Sequence, residues 1–218
     1  MVEANDQQRV LAVEAELDYL RAERENALRH GPGKKAAIVM IDLQRFFMDN
    51  DTPAAKATMD ANVVLLEKAR EKGVPVLLVR NVFDSLDEAN PALQARHVES
   101  LKGLLRTDAR SEIMPELGPR EGDLVVEKKH ASGFAGSELK SELDELGVDT
   151  VYITGTSTSG CVRASCIEGA GLGFRMILVE DAVHEQRPMS GPVALAELAD
   201  RYADVVTLNE TLEYIEAL

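Results

Sequence analysis

Residues 151–165 read VYITGTSTSGCVRAS, and the break inside them decides the fold. Val151, Tyr152 and Ile153 make a β-branched and aromatic run suited to a short buried strand. Gly155, Thr156, Ser157, Thr158, Ser159 and Gly160 are turn formers. The following CVRASCIEGAGLG continues as a helix ended by glycines. The loop sets Cys161 at the helix start, beside backbone N–H groups without partners and the positive end of the macrodipole. Both favour thiolate, the form that acts as a nucleophile. The competing reading is that of most free cysteines, a small buried hydrophobe.

The same alternation runs outward along the chain. Apolar runs predict strands at 36–41, 74–79, 124–126, 151–154, 176–179 and 205–208. Helices are predicted around 59–72, 136–146, 162–170, 193–202 and 212–217. Strands alternating with helices argue for an α/β fold with a parallel sheet covered on both faces, a three-layer arrangement. Residues 1–33 form a separate N-terminal segment, an amphipathic helix over 5–29 closed by Gly31-Pro32-Gly33. Its apolar side can pack on its own chain or on a neighbouring subunit. Residues 34–218 make the periodic domain. Within it, 83–120 reads as a long irregular segment with Asn90-Pro91, Met114-Pro115 and Gly118-Pro119, of the kind that forms lids or interface loops.

Composition narrows the function classes. The 218 residues suit one domain, and 45% hydrophobic content provides a sizeable core. A formal charge of −14 argues against nucleic acid as a partner. No apolar run reaches membrane-span length, and MVEANDQQRV lacks the regions of a signal peptide, so a cytoplasmic protein is expected. Cys161 and Cys166 belong to no metal spacing and are expected to stay reduced there.

Ligands of parallel α/β sheets bind beyond the carboxyl ends of the strands, so the polar residues just after each strand matter most. Asp42 follows the first strand, Lys128 the third, Cys161 the fourth, and Glu180, Asp181 and His184 the fifth. Alone, Asp42 reads as an Asx-turn or cap and Lys128 as a solvated charge. Together, an acid, an amine and a thiol at one sheet end form a catalytic set for cleaving a neutral amide. Asp42 would take the thiol proton and return it to the leaving nitrogen. Lys128 would lower the thiol pKa and hold Asp42 ionised. Backbone N–H groups of the 156–161 turn would form an oxyanion hole.

Three motifs, IDLQ, KKHASGFAG and GTSTSGCV, occur in the order found in the cysteine-hydrolase, or isochorismatase-like, superfamily, which the chain resembles from about residue 36 onward. The resemblance implies a six-stranded parallel sheet with Rossmann-like layering and an Asp–Lys–Cys triad, carried to Asp42, Lys128 and Cys161. Lys128 is preferred to Lys129 because it stands four residues before Ser132. A cis peptide between Thr156 and Ser157 is also implied, aiming the Ser157 N–H beside that of Cys161 at the oxyanion. The segment RNVFDSLDE carries no histidine, unlike metal-dependent nicotinamidases, so no metal and no cofactor are expected. The STSGCVRAS and EKKHASGFAGS segments look most like the N-carbamoylsarcosine amidase and maleamate amidohydrolase branch. That branch implies a small amide or ureido substrate, a thioester intermediate and released ammonia. Other readings are cleavage of a cyclic amide or vinyl ether, or a catalytically silent ligand-binding member. Candidate substrate contacts are Gln44, Phe47, Arg80, Asn81, Arg163 and Arg187. Arg163 stands about 200° around the helix from Cys161, so it is also a candidate for an ion pair elsewhere. Relatives are commonly homodimers or homotetramers, and the same is expected here.

Overall fold

The run AAIVMI is buried at every position because it lies in the middle of a sheet with helices on both sides. The computed structural model describes residues 2–49 and 52–218. Its strands are β1 (Ala36–Ile41), β2 (Val76–Asn81), β3 (Leu124–Lys128), β4 (Thr150–Thr156), β5 (Arg175–His184) and β6 (Ala203–Val206). Its α-helices are α1 (Val2–Glu25), α2 (Arg45–Met48), α3 (Pro53–Lys72), α4 (Pro91–Lys102), α5 (Leu139–Glu145), α6 (Arg163–Gly171), α7 (Ser190–Arg201) and α8 (Leu208–Glu216). All strand pairs are parallel, in the order β3-β2-β1-β4-β5-β6. The chain winds outward from β1 in one direction and then from β4 in the other. The reversal between β1 and β4 opens a crevice at their carboxyl ends.

Strand alternation divides the core into two layers. Ala37, Val39, Ile41, Val151 and Ile153 face α5, α6 and α7, whose Leu139, Leu143, Cys166 and Leu198 close that side. Ala36, Ile38, Met40 and Tyr152 face α3 and α8 through Leu65, Leu66, Ala69 and Ile215. Each fully buried aliphatic side chain contributes about 1.5–3 kcal/mol. Helix α1 lies along α7 and is tied to β5 by an Arg24–Glu180 ion pair of 2.7 Å, which selects the intrachain alternative for at least part of its surface. Among the described residues, no helix is long and apolar enough to cross a membrane.

Several boundaries differ from the sequence reading. β2 starts at Val76 because Pro75 has no N–H for the ladder and gives only its carbonyl, to Ile38 N. β5 runs on to His184 past a register shift that the run ILVEDAVH did not announce. β6 ends before Leu208, where a capping box of Thr207 and Glu210 starts α8. The segment 83–120 is largely structured. Asn90 caps α4 by accepting from Leu93 N at 3.0 Å with Pro91 at the first turn, and Phe83, Ala89, Leu101 and Leu104 form a small buried cluster beneath it.

Candidate active site

Three strand ends and one turn build the site. Asp42 N donates to Val79 O at 2.8 Å, extending the ladder by one residue. The backbone then turns at φ +54°, which makes Asp42 the one non-glycine residue with positive φ among the described residues. An aspartate tolerates this left-handed conformation better than most residues, and strain of this kind gathers at functional sites. Lys128 ends β3 and is fully buried, as is Asp42. Beyond β4 the peptide between Thr156 and Ser157 is cis. A wide turn, Thr158–Val162, then carries Cys161 into α6, with Arg163 N reaching back to Thr158 O. Gly155 makes this possible. At φ +113° it sits so close to β1 that a Cβ would lie 1.9 Å from Ile41 O.

Lys128 Nζ lies 2.8 Å from Asp42 Oδ2 and also donates to His130 O at 2.9 Å and Ala131 O at 3.1 Å. Neither Asp42 oxygen accepts an aligned hydrogen bond. The carboxylate faces the ammonium and the Cys161 thiol, and the thiol is in hydrogen-bonding reach of both. Burial pushes the Asp42 pKa up, and the Lys128 charge only partly opposes it. For Lys128, burial favours the neutral amine, but Asp42 and Cys161 outweigh it and the ammonium is held. The thiol departs from the sequence expectation of a thiolate. Burial first, and the Asp42 charge second, push Cys161 up to about 12, against the pull of Lys128. A thiol pushed toward its neutral form beside a carboxylate of raised basicity is an arrangement for proton transfer during attack.

Around this centre the nucleophile loop is pinned. Ser159 N donates to Glu185 Oε2 at 3.1 Å and its hydroxyl binds the same oxygen. Gly160 N and Val162 N both donate to Ser157 O. The Ser159, Gly160, Val162 and Arg163 amides are engaged, and the Ser157 and Cys161 amides that the resemblance implies for an oxyanion hole are not among them. Burial holds His184 below its usual range, hence neutral, and its carbonyl accepts from Thr158 Oγ1 at 3.1 Å.

The other candidates separate. Gln44 is fully buried and saturated: its amide donates to Asn81 O at 2.9 Å and Ser111 O at 2.7 Å, and its Oε1 accepts from Asn81 N at 2.7 Å. It braces the end of β2 against the following loop and, being fully buried, leaves no amide hydrogen for a ligand, a correction to the sequence reading. Arg80 pairs with Glu127 at 2.5 Å, and Arg163 pairs with Glu197 on α7, so both guanidiniums are committed away from the thiol. Phe47 packs edge-to-face on Phe46 with centroids 4.8 Å apart. Asn81 sits beside Lys128 in the sheet register and has a buried Oδ1 without a partner. Arg187 is exposed in the loop after β5, and no carboxylate pairs with its side chain among the described residues. Cys166 is buried in the core. The sequence reading missed Glu185 and Ser165. The second was legible, since it follows Cys161 by one helical turn.

Residues 36–210 match the model of the isochorismatase domain family. The chain is 28% identical over 194 residues to maleamate amidohydrolase of Pseudomonas putida, covering 87% of this chain and 91% of that protein. It is 28% identical over 204 residues to N-carbamoylsarcosine amidase of an Arthrobacter species, covering 87% and 75%. A solved cysteine hydrolase of Pseudomonas syringae shares the fold with a TM-score of 0.80 at 22% identity, over 87% of this chain and 97% of that one.

Proposed function

Because the chain belongs to the isochorismatase family of hydrolases, we propose that it is a metal-independent cysteine amidohydrolase acting on a small amide or ureido compound. The observation that carries this reading is the buried contact set of Asp42, Lys128 and Cys161. Relatives named for hydrolysis of maleamate and N-carbamoylsarcosine support the substrate class.

The chemistry follows from the charges. As Cys161 Sγ attacks the carbonyl carbon, its proton passes to Asp42, and the carbonyl π electrons move to oxygen. The Ser157 and Cys161 amides receive that oxyanion. Asp42 then gives the proton to the amide nitrogen, the C–N bond breaks, and ammonia leaves a thioester. Water adds to the thioester while Asp42 takes its proton. The tetrahedral species collapses to a carboxylic acid from an amide, or a carbamic acid from a ureide, and Asp42 returns the proton to the departing sulfur. Lys128 stays charged throughout and balances the carboxylate in the resting site. Of the sequence candidates, Asn81 and Arg187 remain open to a substrate's polar end.

Ammonia release from maleamate, N-carbamoyl amino acids, biuret, ureidoacrylate-type compounds and nicotinamide tests the reading. Turnover of an acyclic amide or ureide should survive a chelator and fall by at least about 10³-fold in Cys161→Ala. Turnover that survives in Cys161→Ala, or is lost to the chelator, would refute it.

A further inference from the structure

Ser165 is fully buried in the first turns of α6. Its hydroxyl donates to Cys161 O at 2.7 Å, a bond that a helical serine makes readily to the residue four before it. The second bond is not local. Ser165 Oγ accepts from Gly133 N at 2.8 Å, across thirty-two residues of sequence. Gly133 belongs to the loop that folds over the Lys128 ammonium, which His130 O and Ala131 O hold from above and Asp42 from the side. The loop is also bonded within itself: Ser132 Oγ accepts from Phe134 N at 3.1 Å, and Gly133 O accepts from Ser137 Oγ. Gly133 also fits closely, since a Cβ there would lie 3.1 Å from Ile41 Cδ1 and from Leu139 Cδ2. One hydroxyl thus joins the cysteine's backbone to the loop that sets the lysine's position.

We infer that Ser165 is a positioning residue that fixes the distance between the Lys128 ammonium and the Cys161 thiol. The inference rests on the reading of Cys161 as nucleophile and says what keeps that nucleophile in register. Removing the hydroxyl frees the loop to shift away from Cys161, and a displacement near 1 Å at reacting groups costs about 10²-fold in rate. The ammonium is the one charge that favours thiolate here, so its withdrawal makes the thiol harder to ionise.

The test compares wild type, Ser165→Ala and Ser165→Cys by iodoacetamide labelling of Cys161 across a range of pH, read by peptide mass spectrometry, with melting temperature alongside. In Ser165→Ala the rate–pH curve should move to higher pH, so that labelling near pH 8 slows about tenfold. Turnover should fall about 10- to 100-fold, chiefly in kcat. Ser165→Cys, whose thiol is a weak donor and acceptor, should lie between the two and reads the same displacement if the alanine variant does not fold. A wild-type rate–pH curve in the variants, with only a lowered melting temperature, would overturn the inference. If labelling wild-type Cys161 leaves ammonia release intact, the nucleophile reading itself fails. That outcome is distinct from the first.

Discussion

At Cys161 the charges of Asp42 and Lys128 act in opposite directions, and burial adds its weight to the side of the neutral thiol. The two partners therefore have effects of opposite sign on thiol reactivity. Asp42→Asn removes the negative charge that disfavours thiolate, so Cys161 should label with iodoacetamide faster near pH 8 while turnover is lost with the proton acceptor. Lys128→Met should slow labelling and turnover together. Both variants unbalance a fully buried ion pair, a change costing about 3–5 kcal/mol, so labelling is to be read on protein verified as folded. A faster thiol in Lys128→Met would contradict the assignment of charges. The three residues were singled out because Asp42 and Lys128 follow apolar runs, Cys161 opens a helix after a small-residue turn, and the family spacing preferred Lys128 to Lys129. The state of the thiol was not legible, because helix position and a nearby lysine both argue for thiolate, and depth of burial is a property of the assembled fold. Gln44 was misread for a related reason. Its partners are the main chain of Asn81 and Ser111, which sequence spacing does not bring to mind.

Element by element, the strands were legible from β-branched runs, and their ends shifted wherever backbone chemistry overruled hydrophobicity, as at Pro75 and at the Thr207 cap. Helix α4 was missed although Asn90-Pro91 is a capping signal, because its apolar residues are few and serve a small satellite cluster rather than the main core. The β4-to-Cys161 connection is the element on which the site most depends. Gly155→Ala meets both a positive φ and the Ile41 carbonyl, so it should cost about 2–4 kcal/mol and displace the loop, abolishing ammonia release. Gly171→Ala meets nothing within 4 Å and has no positive φ, so melting temperature and activity should stay near wild type. Equal tolerance of both substitutions would show that the close approach of β4 to β1 does not shape the site.

For the whole molecule, strand order places the switch between β1 and β4, which is why the residues after these strands meet although they are far apart in sequence. The order itself was not contained in periodicity, which marks strands without saying which of them are neighbours. Stability should respond to pH from both sides. Cys161, Cys166 and Tyr152 are held neutral by burial, so their contribution is full below the unfolded thiol range and is lost as pH rises through the unfolded thiol and phenol ranges. Glu127, bonded to Arg106 and Arg80, is lowered to about 2, so its contribution is full above the ordinary carboxylate range and is lost as pH falls toward that value. Melting curves of Tyr152→Phe should lose less stability than wild type between about pH 8 and 11. Glu127→Gln should be less stable near neutrality, and its gap from wild type should close below about pH 4. A gap that stays constant with pH would remove the ion-pair explanation.

The proposed amidohydrolase activity stands on a covalent step at Cys161. Acid quenching during turnover of whichever amide or ureide releases ammonia, followed by peptide mass spectrometry, reads that step directly. The expected result is an adduct on the Cys161 peptide equal in mass to the substrate less ammonia, absent from Cys161→Ala. Steady ammonia release with unmodified Cys161 at every quench time, retained in Cys161→Ala, would contradict it.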